Sequence, residues 1–283
     1  MANVKSEQER AVFHSRVLHA AAKLFLEKGY ERSSTREIAD VAGVHISAMN
    51  RFFGSKEHIL CELVGFVLDG QFSAAKRMLT GVTEDPVLFY AAETTLQLYM
   101  AESDEAIRSL YGAAYSMPSS AALIHSAVTE KLVQVIFREY LPDFDTKDFF
   151  ELELATGGII REYMVLPCDM YFTIERKVRR FLETSLRVYR IPEKKIEEAI
   201  SFVGQFDYPA IAKQTVDDMF IVQTENGKIK MRAEAPLMER YERDTLSFEL
   251  FPDGFFVYGY DEQEKLETQI VADNARHLKY KDG

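Results

Sequence analysis

Residues 34–56 hold short polar and basic side chains whose types and spacing suit binding to nucleic acid. Ser34 and Thr35 stand where a helix begins, and a helix N-terminus offers amides and hydroxyls to a phosphate. Lys56, at the start of a later helix, supplies a positive charge for another phosphate. Between them, the second of two short helices presents side chains that can reach base edges in a major groove. These side chains are His45, Ile46, Ser47, Ala48, Asn50 and Arg51.

The rest of the chain shows no recognisable catalytic or metal-binding constellation. Its six histidines are scattered, and their spacings match no zinc site. The motifs of serine hydrolases, P-loop proteins and dinucleotide-binding proteins are missing. Cys61 and Cys168 are too few for a disulfide framework, and each is better explained as a small buried residue. The sequence therefore predicts a protein that is not an enzyme and needs no metal or cofactor.

Apolar spacing predicts the helices that must position the polar set. An amphipathic helix ending before Gly29 precedes two short helices, at about 34–42 and 45–53, and a long helix at 56–79. Ser34 and Glu37 have the spacing of a capping box. Two short helices joined across a glycine and packed on a preceding helix are what a helix-turn-helix requires. A helical hairpin within a core is the alternative reading of this pattern.

The remainder of the chain divides into a helical body and a β-rich extension. Prolines separate further helices, because proline cannot continue one. After Met219 apolar residues alternate, and Asn226-Gly227 and Pro252-Asp253-Gly254 predict turns between strands. The predicted fold is mainly α, with domains at 1–57, 58–219 and a β-rich 220–283. The further helices are predicted at about 85–102, 104–116, 119–140, 146–165, 170–189, 193–204 and 208–219.

Composition and charge agree with a DNA-binding domain on an acidic body. The 283 residues suggest about two domains, and 47% hydrophobic with 28% charged residues is typical of a soluble globular chain. No run is apolar enough for a membrane span and no signal peptide is visible, so we expect a cytoplasmic protein without a membrane partner. The net charge is −11, yet residues 1–60 hold nine basic and seven acidic residues. The acidic excess therefore lies outside the proposed DNA reader.

The motifs around the two short helices resemble the N-terminal domain of the TetR family of transcriptional regulators over about 50 residues. The matching runs are Gly29-Tyr30, Ser33-Ser34-Thr35-Arg36-Glu37-Ile38-Ala39, Ala42-Gly43-Val44 and Phe52-Phe53-Gly54-Ser55-Lys56-Glu57. By this resemblance, Ser34, Thr35 and Lys56 lie near the DNA backbone, Arg36 and Arg51 contact DNA, and His45, Ile46, Ser47 and Ala48 face the bases.

Asn50 departs from the family pattern, which usually has tyrosine contacting a phosphate there. Asparagine is shorter, and it can bond adenine bidentately where it reaches a base edge. Either a phosphate contact is lost at this position or a base contact is gained.

The same resemblance implies that the helical body binds a small effector and forms a homodimer on a palindromic double-stranded operator, with the helices near 146–165 and 170–189 in the dimer interface. It also implies a repressor that the effector releases from DNA. An aromatic and methionine-rich set would suit an apolar or amphipathic effector, although such stripes and the apolar faces of these helices also fit an internal core. The candidate effector contacts are Tyr99, Met100, Tyr111, Tyr115, Met117, Phe137, Arg161, Tyr163, Met164 and Cys168.

The extension suggests a second, different function. The run from Gln223 to Tyr241, with Phe251-Pro252-Asp253-Gly254 and Ala272-Asp273-Asn274-Ala275, resembles the first half of LptC, a lipopolysaccharide-export protein. That resemblance implies a module binding lipid or lipopolysaccharide, in a family that works outside the inner membrane. A genuine fusion, an artificial joining and an unrelated hairpin extension all remain open.

Overall fold

The computed structural model describes residues 7–219 and, beyond them, residues 221–225, 228–234, 239–243, 246–251, 255–260, 266–272 and 275–280. The chain is mainly helical, with twelve α-helices in these described parts. It divides into two compact units, Ala20–Lys213 and a second that combines Met1–His19 with Gln214–Gly283. The domain boundaries expected near 57 and 219 stay predictions.

Four helices at the N-terminal end correspond to the predicted DNA reader. They are α1 (Glu7–Lys28), α2 (Thr35–Ala42), α3 (Ile46–Phe53) and α4 (Lys56–Leu79). Gly29, Gly43 and Gly54 follow the first three helices with φ between 61° and 86°, a region in which glycine lacks the steric penalty of other residues. The junctions therefore end each helix sharply and let the next one change direction.

The helical body continues from α5 to α12, and polar caps or prolines set most of its helix starts. Asp85 accepts hydrogen bonds from the first-turn amides of α5, where Pro86 fills the first helical position. Asp104 caps α6 in the same way, and Asp145 forms a capping box with Asp148 at α9. The helices are α5 (Pro86–Ser103), α6 (Glu105–Ser116), α7 (Pro118–Val128), α8 (Gln134–Phe137), α9 (Thr146–Val165), α10 (Ile174–Val188), α11 (Glu193–Val203) and α12 (Tyr208–Met219).

Two parts of the helical body differ from the expected helices. The helix expected at 119–140 is interrupted by a π-helical turn, Thr129–Val133, between α7 and α8. The helix expected from 170 begins at Ile174, because the Asp169 carboxylate accepts hydrogen bonds from the amides of Tyr171 and Phe172 and so holds a turn there. Lys177, in the first turn of α10, donates a 2.6 Å hydrogen bond to the carbonyl of Leu166 at the end of α9 and so holds the two ends of this connection together.

The apolar residues of α10 lie inside the protomer. Phe181, Leu182 and Leu186 are buried, as is Ile160 of α9, whereas Leu154 of α9 is exposed. The interpretation as internal core is therefore correct for these four residues. Other side chains form the outer surfaces of α9 and α10. None of the helices in the described ranges is long and apolar enough to cross a membrane.

After α12 the described chain forms strands in two antiparallel sheets. One sheet has the strand order β1-β2-β5-β6 and the other β3-β4-β7. The predicted turns at Asn226-Gly227 and Pro252-Asp253-Gly254 lie outside the described residues. The strands are β1 (Ile221–Glu225), β2 (Lys228–Glu234), β3 (Glu239–Arg243), β4 (Leu246–Phe251), β5 (Phe255–Tyr260), β6 (Leu266–Ala272) and β7 (Ala275–Tyr280).

Candidate nucleic-acid interface and buried polar cavity

Helices α2 and α3 form a compact pair because each buries its apolar side chains on one face. Ile38 and Ala39 of α2 and Met49 and Phe53 of α3 are all buried. Gly43 turns the chain between the helices, with its amide hydrogen-bonded to the Asp40 carbonyl at 3.2 Å. The side chains on the opposite face of α3 are consequently left towards solvent.

Seven of the ten predicted DNA-contacting residues are exposed, and five of these seven lie on α3 or at its N-cap. Thr35, Ala48 and Lys56 are half-buried, and the other seven are exposed. His45 occupies the N-cap position of α3 without a side-chain capping bond, so its ring is available at the end of the helix that enters the groove in helix-turn-helix proteins. The exposed seven are Ser34, Arg36, His45, Ile46, Ser47, Asn50 and Arg51.

The start of α2 already holds a carboxylate. Glu37 accepts hydrogen bonds from the Ser34 amide at 2.9 Å and the Ser34 hydroxyl at 2.7 Å. Lys28 also donates to Glu37. The hydrogen bond from Lys28, followed by those from Ser34, lowers the pKa of the Glu37 carboxyl to about 2. The Ser34 hydroxyl is thus engaged in the capping box, and a phosphate at this terminus would meet a carboxylate neutralised by Lys28.

Lys56 lies partly inside the domain. Its ammonium donates to the Tyr30 carbonyl at 2.9 Å and the Ser33 carbonyl at 3.0 Å, and it stands 4.0 Å from the centre of the Tyr30 ring. An ammonium group has three donors, so two of them join α4 to the loop that leads into α2. Lys56 therefore fixes the position of the DNA reader relative to α4.

Two exposed apolar residues lie beside this surface, and for one of them, Phe52, the expectation that it faces the core is wrong. Phe52 can face the core by helical spacing alone, but its side chain is 46% exposed, while Phe53 beside it is buried. Val41 of α2 is also exposed. Exposed large apolar residues on a DNA-facing helix can contact thymine methyl groups. A helical wheel of an eight-residue helix with two adjacent phenylalanines does not decide which ring turns outward.

A small cavity of about 20 Å³ lies among α4, α5, α6, α7, the π-helical turn, α9 and α10. This volume is of the order of one water molecule. Its apolar wall includes Val128, Leu132 and Val133, which lie in and beside the π-helical turn. Its polar wall consists of Gln71, Glu93, Thr94, Gln97, Tyr115, Glu153 and Thr156.

Two buried glutamates dominate the chemistry of the cavity. Oε1 of Glu93 accepts a 2.7 Å hydrogen bond from Gln71, which in turn accepts one from the Tyr111 hydroxyl at 2.8 Å. Burial raises the pKa of the Glu93 carboxyl to about 7, and the hydrogen bond from Gln71 opposes that rise. Burial also raises the pKa of Glu153, whose Oε2 lies 2.5 Å from Nδ1 of His125.

Of the predicted effector contacts, the structure brings Tyr115 to this cavity, and Tyr111 reaches it through Gln71. Phe137 stacks on Tyr189 in the core at 4.0 Å, and Tyr99 stacks on Tyr208. Arg161 bonds to Glu162 and to the Ser116 hydroxyl. Of these predicted contacts, Tyr115 therefore lines this cavity, and an effector contact by the others stays a prediction. The nine that do not line the cavity are Tyr99, Met100, Tyr111, Met117, Phe137, Arg161, Tyr163, Met164 and Cys168.

A polar contact links the cavity helices to the start of α4. Glu57, next to Lys56, accepts a 2.7 Å hydrogen bond from the Ser119 amide in the first turn of α7, and this bond lowers the pKa of the Glu57 carboxyl. Further along α7, Val128 lines the cavity and His125 pairs with Glu153. Helix α7 thus joins the cavity to the helix that carries the DNA reader. Among the described residues no group of acidic, histidine or cysteine side chains could hold a metal ion.

Comparisons with known proteins agree with this architecture. Residues 17–63 match the family model described as bacterial regulatory proteins, tetR family. The crystal structure of RolR in complex with resorcinol is similar with a TM-score of 0.52 and 16% identity, over 70% of this chain and 96% of that chain. Ligand-free RolR gives a TM-score of 0.51 and 15% identity, over 66% of this chain and 96% of that chain. A search of curated proteins found no match.

Proposed function

We propose that this chain, whose residues 17–63 match the model for bacterial regulatory proteins of the tetR family, is a DNA-binding transcriptional repressor that a small effector releases from its operator. The observation that carries the proposal is the outward face of α3, where His45, Asn50 and Arg51 are exposed above a buried apolar side. This is a binding function in the cytoplasm and not a catalytic one.

The contacts proposed with DNA fall into two groups. Arg51 and Asn50 can donate to base edges, and Ile46, 37% exposed, can contact a thymine methyl group. Thr35 and Arg36 belong to the first turn of α2, which offers amides to a phosphate. We assign Lys56 a positioning role, because two of its donors are engaged with Tyr30 and Ser33.

The proposed repressor works as a homodimer on a palindromic operator. Two copies of a helix-turn-helix reach successive major grooves when a two-fold axis relates them. We propose the exposed part of α9, including Leu154, as a contributor to this interface, since the apolar side of α10 is buried within the protomer.

The polar cavity is the proposed effector site, and α7 is the proposed connection to DNA. RolR was crystallised with resorcinol, which is a precedent for a small polar ligand in this fold. A ligand larger than the present cavity has to displace its wall, including Val128 of α7. That displacement would act on the bond between Ser119 and Glu57 and so on α4. Effector and DNA then weaken each other's binding by the same factor.

The test is selection of bound duplexes from a random DNA pool, followed by fluorescence anisotropy on the recovered sequence. We expect a palindromic consensus, and a loss of about 5- to 150-fold in affinity for Arg51→Ala, which corresponds to ~1–3 kcal/mol. Lys194→Ala is the matched control, because Lys194 is an exposed basic residue of α11. Failure to recover any sequence, or equal affinities for both variants, would refute the proposal.

A further inference from the structure

One buried carboxylate of the cavity is only partly satisfied by hydrogen bonds among the described residues. None of its lining residues is a lysine or an arginine, and two of them are glutamates. Glu153 has a partner in His125, at 2.5 Å. Glu93 is only 2% exposed, and its single hydrogen bond, from Gln71, reaches Oε1. Among the described residues, Oε2 of Glu93 has no hydrogen-bond donor.

A charged carboxylate at this depth is costly unless a proton, a hydrogen-bond donor or a cation neutralises it. Transferring a charged group out of water costs several kcal/mol in proteins, and an opposite charge with N–H donors recovers much of that cost. Charge-assisted hydrogen bonds are also about twice as strong as neutral ones. The Tyr111 hydroxyl donates to the Gln71 side chain and holds it in place. Gln71 in turn fixes the Glu93 carboxylate, so Oε2 of Glu93 also has a fixed position.

The aromatic residues that line the cavity favour the same ligand chemistry. Tyr90, Tyr115 and Phe181 all line the cavity, and the faces of aromatic rings attract cations through their quadrupole. The apolar wall of the cavity includes Leu68, Leu132 and Ile160. This wall suits a short hydrocarbon group attached to the charged one.

We propose that the effector of this site is a compact organic ammonium ion, whose N–H groups donate to Glu93 while its hydrocarbon part lies against the apolar wall. The inference rests on the proposed function, because it names the chemical class of the ligand that releases DNA. The cavity of about 20 Å³ admits little more than the ammonium group itself. The hydrocarbon part must therefore move the wall, and Val128 connects that movement to α7.

The experiment measures binding to the full-length protein by isothermal titration calorimetry with a matched series of probes. Ethylammonium and butylammonium are the cations, ethanol and butanol their neutral counterparts, butyrate the anion, and resorcinol a neutral donor of different shape. We expect butylammonium to bind at least about tenfold more tightly than butanol, which corresponds to ~1.4 kcal/mol. Equal binding of cation and alcohol, preference for butyrate or resorcinol, or no binding of either ammonium ion would overturn the inference.

Two variants assign the effect to the buried carboxylate. Glu93→Gln keeps the side-chain shape and removes the charge, so we expect it to lose at least about tenfold in butylammonium affinity. Glu105→Gln removes an exposed carboxylate at the start of α6 and should bind as the wild type does. Unchanged affinity in Glu93→Gln would contradict the inference. If that variant does not fold, the comparison of probes on the wild-type protein decides alone.

Operator binding, measured separately, distinguishes this inference from the proposed function. A protein that binds its selected operator but takes up no ammonium ion is a repressor with another class of effector. If the protein binds butylammonium at Glu93 but selects no DNA, the inference about the cavity holds and the proposed function is wrong. Release of the operator by butylammonium, and not by butanol, is the result that supports both.

Discussion

Lys56 and Arg51 are both basic residues of the predicted DNA-contacting set, yet they stand in different environments. Lys56 bonds two backbone carbonyls, whereas Arg51 is exposed. We expect Lys56→Ala to lower the free energy of unfolding by ~1–3 kcal/mol, because it removes hydrogen bonds from a charged donor. Arg51→Ala should stay within about 0.5 kcal/mol of the wild type. Urea denaturation at one protein concentration measures both, and an unaffected Lys56→Ala variant would remove its positioning role.

Glu93 gives the protein a predictable pH dependence. Its carboxyl has a pKa of about 7 in the folded state and 4.5 as an ordinary glutamate. The folded state therefore binds this proton more tightly, and its contribution to stability is lost as the pH rises through that window, by up to ~1.4 kcal/mol per pH unit. Relative to Glu93→Gln, the wild type should be less stable at about pH 8 than at about pH 5.

Denaturation of both variants across this range measures the effect. Other titratable groups facing Glu93 are present in both variants, so their titration contributes to both curves. A difference between the variants that does not change with pH would show that Glu93 titrates as an ordinary glutamate. These shared groups are Tyr90, Tyr111, Tyr115, Glu153 and its partner His125.

At the scale of elements, a close contact between α7 and α9 depends on Gly157. A Cβ atom there would lie 2.7 Å from Cε1 of His125 and 3.0 Å from Oε1 of Glu153. We expect Gly157→Ala to destabilise the protein by ~1–3 kcal/mol, the usual cost of overpacking. Gly65→Ala is the matched control in α4, where a Cβ meets nothing within 4 Å, and it should stabilise by ~0.5–1 kcal/mol.

Thermal or urea unfolding of the two alanine variants tests this difference between the glycines. Opposite signs for Gly157→Ala and Gly65→Ala are expected. If both variants gain stability, His125 moves aside without cost and the α7–α9 contact is not tightly packed.

Elements were predictable from sequence where a local signal fixes them. The Ser34–Glu37 capping box predicts the start of α2, and Pro118 marks the start of α7. The π-helical turn could not be foreseen, since no glycine or proline occurs within Thr129–Val133. The late start of α10 depends on the carboxylate turn at Asp169, which competes with helix over a few residues. The packing of Lys177, and not helix propensity, decides here where the turn ends and the helix begins.

At the scale of the whole molecule, the candidate cavity could not be predicted from the sequence. Gln71, Glu93 and Glu153 come from three helices, and each would be assigned to a solvated face by composition alone. Only the packing of α4, α5 and α9 brings them together. Of the predicted aromatic set, Tyr115 lines the cavity, whereas Phe137 stacks on Tyr189 and Tyr99 stacks on Tyr208. The DNA reader was predictable because its motif is continuous in sequence. The resemblance of 220–283 to LptC stays a prediction.

The net charge of −11 belongs to the whole chain, while residues 1–60 carry slightly more basic than acidic residues. We therefore expect DNA to bind the side of the protein that carries residues 34–56. In the proposed dimer, the two copies of this surface bind DNA together. Their grooves are one helical turn apart, about 10 base pairs, or a multiple of it. Inserting about five base pairs between the operator half-sites turns one half-site to the opposite side of the duplex. We expect this insertion to reduce the affinity at least about a hundredfold, which corresponds to ~2.7 kcal/mol, while a substitution of the same central bases changes it little. Fluorescence anisotropy on the three duplexes decides the question, and equal binding to all of them would mean that each protomer reads DNA alone.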